Sequence, residues 1–245
     1  VLSSTGDGNQ AIGAFVSESA APVAFSIEWL NLARVQITKA DAETGNPLDG
    51  AVYGVYKDSA CTDLVTEISM TGEDGISYSD YFDAGLETVY VKEITAPEGY
   101  VINKTVYPVH VSAGQTVEIH AVDTRVKGKI TVEKQDVDTE EFLPQGDAQL
   151  AGAVYGLYAR TDIQNPDGTG VLYEAGSLIA QQTFGESGEI VFENLYLGEM
   201  YIKEITAPEG YLLDETEYDV TLSYEGQETE VVVAAETVTE QVKKQ

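Results

Sequence analysis

The chain has 245 residues, with 13 Lys and Arg against 42 Asp and Glu, a formal charge of −29 at pH 7. That balance excludes a nucleic-acid binder, whose affinity comes from cations neutralising phosphates, and it excludes an anionic membrane surface as partner. Disorder is not indicated, because 43% of residues are apolar and 15 are Tyr, and a lone Cys61 excludes an internal disulfide framework.

In chain order, the first residues, Val1 to Asp7, carry neither the basic start nor the apolar block of a signal peptide. The segment 1–30, ending in Phe25-Ser26-Ile27-Glu28-Trp29-Leu30, is expected to be the closing strand or linker of a preceding module in a longer protein. The longest purely aliphatic stretch, Val231 to Ala235, is far short of the roughly 20 residues a membrane-spanning helix needs.

From there the chain repeats itself. Gly50-Ala51-Val52-Tyr53-Gly54-Val55-Tyr56 recurs as Gly152-Ala153-Val154-Tyr155-Gly156-Leu157-Tyr158, and Tyr90 to Tyr100 recurs almost letter for letter as Tyr201 to Tyr211. Val35-Gln36-Ile37-Thr38-Lys39 opens the first copy and Ile130-Thr131-Val132-Glu133-Lys134 the second. The opening Lys recurs after 95 residues but the Glu of the long repeat after 111, so the second copy carries insertions, expected around 139–149 and 164–170. This gives module one over 31–127, module two over 128–240 and the start of a following linker over 241–245.

Each module is a series of short runs rich in Val, Ile, Thr and Tyr, apolar alternating with polar and separated by turn signals such as Glu73-Asp74-Gly75 and Ala96-Pro97-Glu98-Gly99. Helical periodicity is absent from these runs. The pattern predicts an all-β chain, each module an antiparallel β-sandwich or small barrel.

Strand parity then sets a chemical problem. Side chains at i, i+2 and i+4 share a face, so Val35 and Ile37 carry Lys39 into the core, and Ile130 and Val132 carry Lys134. Glu93 follows Val89 and Val91, Glu204 follows Met200 and Ile202, and Asp123 follows Ile119 and Ala121. A charge that merely ends its strand at a solvated rim is the ordinary alternative. If buried, lysine and carboxyl are both driven towards their neutral forms. A neutral amine beside a protonated carboxyl can form an amide while a second carboxyl moves the protons.

The opening Lys strand followed by Lys-Glu-Ile-Thr-Ala-Pro-Glu-Gly-Tyr, present twice, resembles the Cna B-type, SpaA-like prealbumin-fold domains of Gram-positive adhesins and pilins, from about Arg34 to Val242. The resemblance implies two tandem Ig-like, transthyretin-like sandwiches. It also implies a Lys on the first strand joined to Asn or Asp on the last, with the Glu of the box as catalyst. In module one these are Lys39, Asp123 and Glu93. In module two Lys134 and Glu204 are present, but the last strand offers Glu236, and counting from Gly226 puts Ala235 at the acceptor position. Module two is therefore expected to lack an efficient cross-link, leaving Lys134 in a buried ion pair with Glu204 that Glu236 shares, or in a second bond to Glu236. Asn31 would sit where a preceding module holds its own acceptor.

Other chemistry is sparse. His110, His120 and Cys61 have no zinc-site spacing, and the two histidines fall on the polar faces of their strands. Cys61 is expected to pack as a small hydrophobe. The loop 162–170 lacks the ordered ligand pattern of a calcium site, so neither metal nor cofactor is expected. Tyr53/Tyr56 and Tyr155/Tyr158 are expected to serve core and turn packing rather than sugar stacking.

Three functional classes follow. The first is a pair of stalk modules in an extracellular, cell-surface protein, anchored to the cell wall through another part and contacting neighbouring modules. The second is an adhesin domain binding a host protein or glycan. The third, a carbohydrate-active enzyme with paired carboxylates, needs acids lining an open cleft about 5 Å or more apart, not acids at core parity beside a Lys. A bond formed once by the protein on itself is not enzymatic turnover.

Overall fold

A computed structural model describes residues 31–243. The expected closing strand in 1–30 lies outside the described residues, as do residues 244 and 245 of the expected following linker. Two compact units divide the described chain: one holds residues up to Pro97 with Ile102–Thr124, the other Glu98–Val101 with Arg125 onwards.

The first part of the chain forms β1 (Leu32–Asp41), β2 (Val52–Tyr56), β3 (Leu64–Ser69), β4 (Ile76–Tyr78), β5 (Phe82–Asp83), β6 (Thr88–Thr95), β7 (Tyr100–Val101), β8 (Val106–His110) and β9 (Thr116–Arg125). One sheet contains β4-β1-β9 with β5 also on β1, and the facing sheet runs β3-β2-β6-β8. Between them lies a core built from alternate residues of both sheets, including Val35 and Ile37 of β1, Tyr53 and Val55 of β2, Val89 and Val91 of β6, and Ile119 and Ala121 of β9.

The second part repeats the plan with β10 (Lys127–Asp136), β11 (Val154–Ala159), β12 (Ile163–Gln164), β13 (Val171–Tyr173), β14 (Leu178–Thr183), β15 (Glu189–Leu195), β16 (Gly198–Thr206), β17 (Glu217–Leu222) and β18 (Val231–Glu240). Its sheets are β15-β10-β18 and β14-β11-β16-β17. Of the two expected insertions, 164–170 is the tip of the extra hairpin β12–β13, and 139–149 lengthens the connection from β10 to β11.

Most strand pairs are antiparallel, as expected for a sandwich. The first and last strands of each module are the exception: β1 pairs with β9, and β10 with β18, in parallel. Parallel pairing brings the chain's entry and exit strands side by side over eight paired positions in module one and ten in module two.

Candidate functional site

The alternation that places Ala33, Val35 and Ile37 in the core of β1 continues without a break to Lys39 and Asp41, all fully buried or nearly so. On β9 the same row runs Ile119, Ala121, Asp123, Arg125. In the facing sheet Tyr53 lies directly opposite Glu93 across the β2–β6 ladder. Two side chains from each sheet therefore meet inside module one: Lys39 and Asp123 from one, Tyr53 and Glu93 from the other.

Lys39 Nζ donates to Glu93 Oε1 at 2.9 Å and to the Tyr53 hydroxyl at 2.6 Å, and it is in direct contact with Asp123 Oδ1. Beyond that ion pair neither oxygen of Asp123 has a hydrogen-bond partner among the described residues. The other Glu93 oxygen, Oε2, accepts from the backbone N–H of Asn103 at 2.7 Å, which fixes the carboxyl over the lysine. Burial pushes the Asp123 carboxyl up to about 7, against the pull of the Lys39 charge, and adjacent Glu93 adds to the rise. The shift is towards the protonated acid, the state in which the carbonyl carbon accepts an amine.

Module two builds the same cavity from a different acid. Lys134 is buried between Ile130/Val132 and Asp136 on β10, and Tyr155 lies opposite Glu204 across β11–β16. Glu204 Oε2 accepts from the Asp214 N–H at 2.6 Å, as Glu93 does from Asn103. The carboxyl beside the lysine, however, is Glu240: its Oε1 lies 2.6 Å from Lys134 Nζ, with both side chains fully buried.

Glu236 therefore does not pair with Lys134. It is half-buried, stands opposite Val132 in the parallel ladder, and turns its Oε1 back to the N–H of Thr237. The displacement comes from the turn before the last strand. Asp123 lies nine residues after Gly114, whereas Glu240 lies fourteen after Gly226, so gapless counting from the glycine stops five residues early.

Two contributions escaped the sequence reading. Tyr53 and Tyr155 are core residues as expected, yet their hydroxyls reach the buried charged groups: Tyr53 the Lys39 amine, Tyr155 the Glu240 Oε1 at 3.1 Å. Asn103 and Asp214 present backbone N–H groups to the two box glutamates, each ten residues downstream, in turns closed by Thr105 and Thr216. The spacing Glu-x9-Asn/Asp-x-Thr, repeated in both modules, was the available signal.

The remaining residues fall into place more simply. His110 and His120 are exposed, and Cys61 is half-buried in the Asp58–Asp63 turn with φ of 57°, not packed in a core. Asn31 is exposed, with its amide 3.5 Å from Asp83. Among the described residues no group of His, Cys, Asp and Glu is placed to hold a metal, and no helix is long and apolar enough to cross a membrane.

With this geometry in view, comparison with known families gives one answer twice. The model of the SpaA prealbumin-like fold domain matches residues 33–125 and again 128–237. The chain belongs to that family, as two tandem domains. Among solved structures it is similar to the Bacillus anthracis TIE protein, with 24% identity, 86% of this chain and 34% of that chain covered, and a TM-score of 0.62. It therefore spans about a third of that protein's length. It is also similar to a streptococcal ancillary pilin (17% identity, 95% and 70% covered, TM-score 0.36). A third match is the shaft pilin SpaA of Lactobacillus rhamnosus GG (12% identity, 88% and 98% covered, TM-score 0.35). No curated protein matches the chain.

Proposed function

We propose that these are load-bearing stalk modules of a Gram-positive cell-surface adhesin or pilin-like protein, and that module one joins Lys39 to Asp123 through an isopeptide bond of its own making. Membership of the prealbumin-like family supports the structural role. The observation that carries the bond is a fully buried amine in direct contact with one carboxyl and 2.9 Å from a second.

In the step envisaged, the neutral Lys39 Nζ attacks Cγ of the protonated Asp123. Glu93, already hydrogen-bonded to Nζ, takes an amine proton and returns it to the departing oxygen, which leaves as water. The net change is one N–C bond formed, one C–O bond broken and one water released. Two buried ionisable groups, whose burial carries a cost of several kcal/mol per unpaired ion, become one neutral amide. No external activating group takes part, because burial favours the protonated Asp123 carboxyl and the two strands supply the encounter.

A tryptic digest of the full chain tests this. The reading predicts Val35–Lys57 joined to Thr105–Arg125, minus one water, with Lys39 uncut. Glu93→Ala should restore cleavage after Lys39 and release Thr105–Arg125 as a separate peptide. Finding them separate in the unmodified protein would overturn the bond.

A further inference from the structure

We propose that module two closes its own cross-link between Lys134 and Glu240, a glutamate acting as acyl acceptor, with Glu204 carrying the proton and Tyr155 holding the oxygen that stays. The inference rests on the same amide chemistry proposed for module one but on different residues, so the two stand or fall separately in the experiment below.

Register comes first. Lys39 stands opposite Ala121 in the parallel ladder, and Asp123 is two residues further on. Lys134 stands opposite Val238, and Glu240 is two residues further on. The two acids hold the same position in the pleat, and the longer glutamate has to be accommodated by its surroundings.

The surroundings differ in the required way. In module one Tyr53 bonds to the lysine, whereas in module two Tyr155 donates to Glu240 Oε1 at 3.1 Å, and Lys134 Nζ instead donates to the Leu150 carbonyl at 3.2 Å. The extra methylene takes the carboxyl on to the tyrosine hydroxyl, and a main-chain oxygen holds the amine at 2.6 Å from Oε1.

The two oxygens of Glu240 are then distinguished. Oε1 has a donor, which polarises it as the carbonyl that remains. Oε2 is buried without a partner, as is Glu204 Oε1. Two buried acceptor atoms of neighbouring carboxyls call for a proton between them, and Glu204 is raised to about 8 by burial first and by sharing that proton with Glu240 next. Burial also lowers the Lys134 ammonium from its ordinary range, favouring the free amine.

The step balances as follows. Nζ bonds to Cδ of Glu240, Oε2 takes the proton lying between the two acids and one from the amine relayed by Glu204, and it leaves as water. Oε1 becomes the amide oxygen and keeps its bond from Tyr155. Glu204 ends as a carboxylate, having given up the shared proton and passed on the amine's.

Tryptic digestion of the full chain, with fragment-ion sequencing, tests it. The expected product is Ile130–Arg160 joined to Glu204–Lys243, one water lighter, with the branch at Glu240 and not at Glu236. Glu236→Ala should leave the linkage intact. Glu240→Gln should form the same amide but release ammonia instead of water, since the leaving atom is then nitrogen. Separate peptides in the unmodified protein, a branch at Glu236, or release of water from Glu240→Gln would each overturn the proposal. The Lys39–Asp123 peptides are read in the same digest: linked there and unlinked here, only this proposal fails, and unlinked there and linked here, only the reading of module one fails.

Discussion

Asp123 and Glu240 occupy the same place in their modules: each lies two residues beyond the position that faces the lysine, on a last strand parallel to the first. One methylene separates them chemically, and the hydroxyl of the opposite tyrosine moves from lysine to acid to accommodate it. The two modules thus share one register and differ in the acid that it brings to the lysine.

A link between Lys39 and Asp123 closes a loop of 84 residues, which by analogy with disulfides stabilises through lost unfolded-state entropy by about 4–5 kcal/mol. Asp123→Ala removes the acceptor but leaves the Lys39–Glu93 pair in place. Module one of that variant should unfold at lower denaturant and become protease-sensitive, with module two unchanged. Equal stability would mean that the loop is not closed in the native chain.

The same link lies on the path of tension. Force entering β1 at Leu32 crosses at Lys39 to Asp123 and leaves through Arg125, so β2 to β8 carry none of it. In single-molecule pulling, module one of the wild type should show no unfolding extension from residues 40–122. Asp123→Ala should add about 300 Å, given about 3.3–3.6 Å for each extended residue. An equal extension in both proteins would contradict the role assigned.

Much of this was legible because strand parity is strict. Once Val35 and Ile37 faced inward, Lys39 had to follow, and β1 buries alternate residues without interruption through Asp41. The same rule placed Glu93, Glu204, Lys134 and Asp123. What parity could not supply was the length of the turn before β18, which no ladder constrains; a five-residue difference there moved the acceptor position from Ala235 to Glu240, past Glu236. Nor does alternation reveal that a core tyrosine's hydroxyl is a working group, since burial of the ring and use of the oxygen leave the same pattern in the sequence. The parallel pairing of first and last strands was likewise invisible, because alternation is identical in parallel and antiparallel strands.

Removing the amine exposes the acids' titration. In Lys134→Met no link can form, and Glu204 and Glu240 stay buried together. The folded-state pKa of Glu204 lies above its unfolded value, about 8 against an ordinary 4.5, with the cation still present. The stabilisation from holding that proton is complete below pH 4.5 and is lost as pH rises through 8. The melting temperature of module two in this variant should fall steadily between pH 5 and 8, more steeply than in the wild type, where one buried carboxyl remains instead of two. A flat profile in the variant would show that the acids are not jointly buried.

Gly75 tests the positioning of Lys39 from the backbone side. Its carbonyl accepts from the Lys39 N–H at 2.7 Å, its φ is +67°, and a Cβ there would collide with the Lys39 carbonyl oxygen. Gly75→Ala combines left-handed strain of about 1–2 kcal/mol with displacement of β1 at the lysine. Since a misplacement near 1 Å can slow a reaction about a hundredfold, this variant should accumulate protein with its Lys39 peptide unlinked. Full linkage at the wild-type rate would show that β1 tolerates the shift.

The most direct test is the intact mass of the unmodified chain under denaturing conditions. It should lie two waters below that of the sequence, one for Lys39–Asp123 and one for Lys134–Glu240, with Glu93→Ala and Glu204→Ala each restoring one. A mass equal to that of the full sequence would contradict both links.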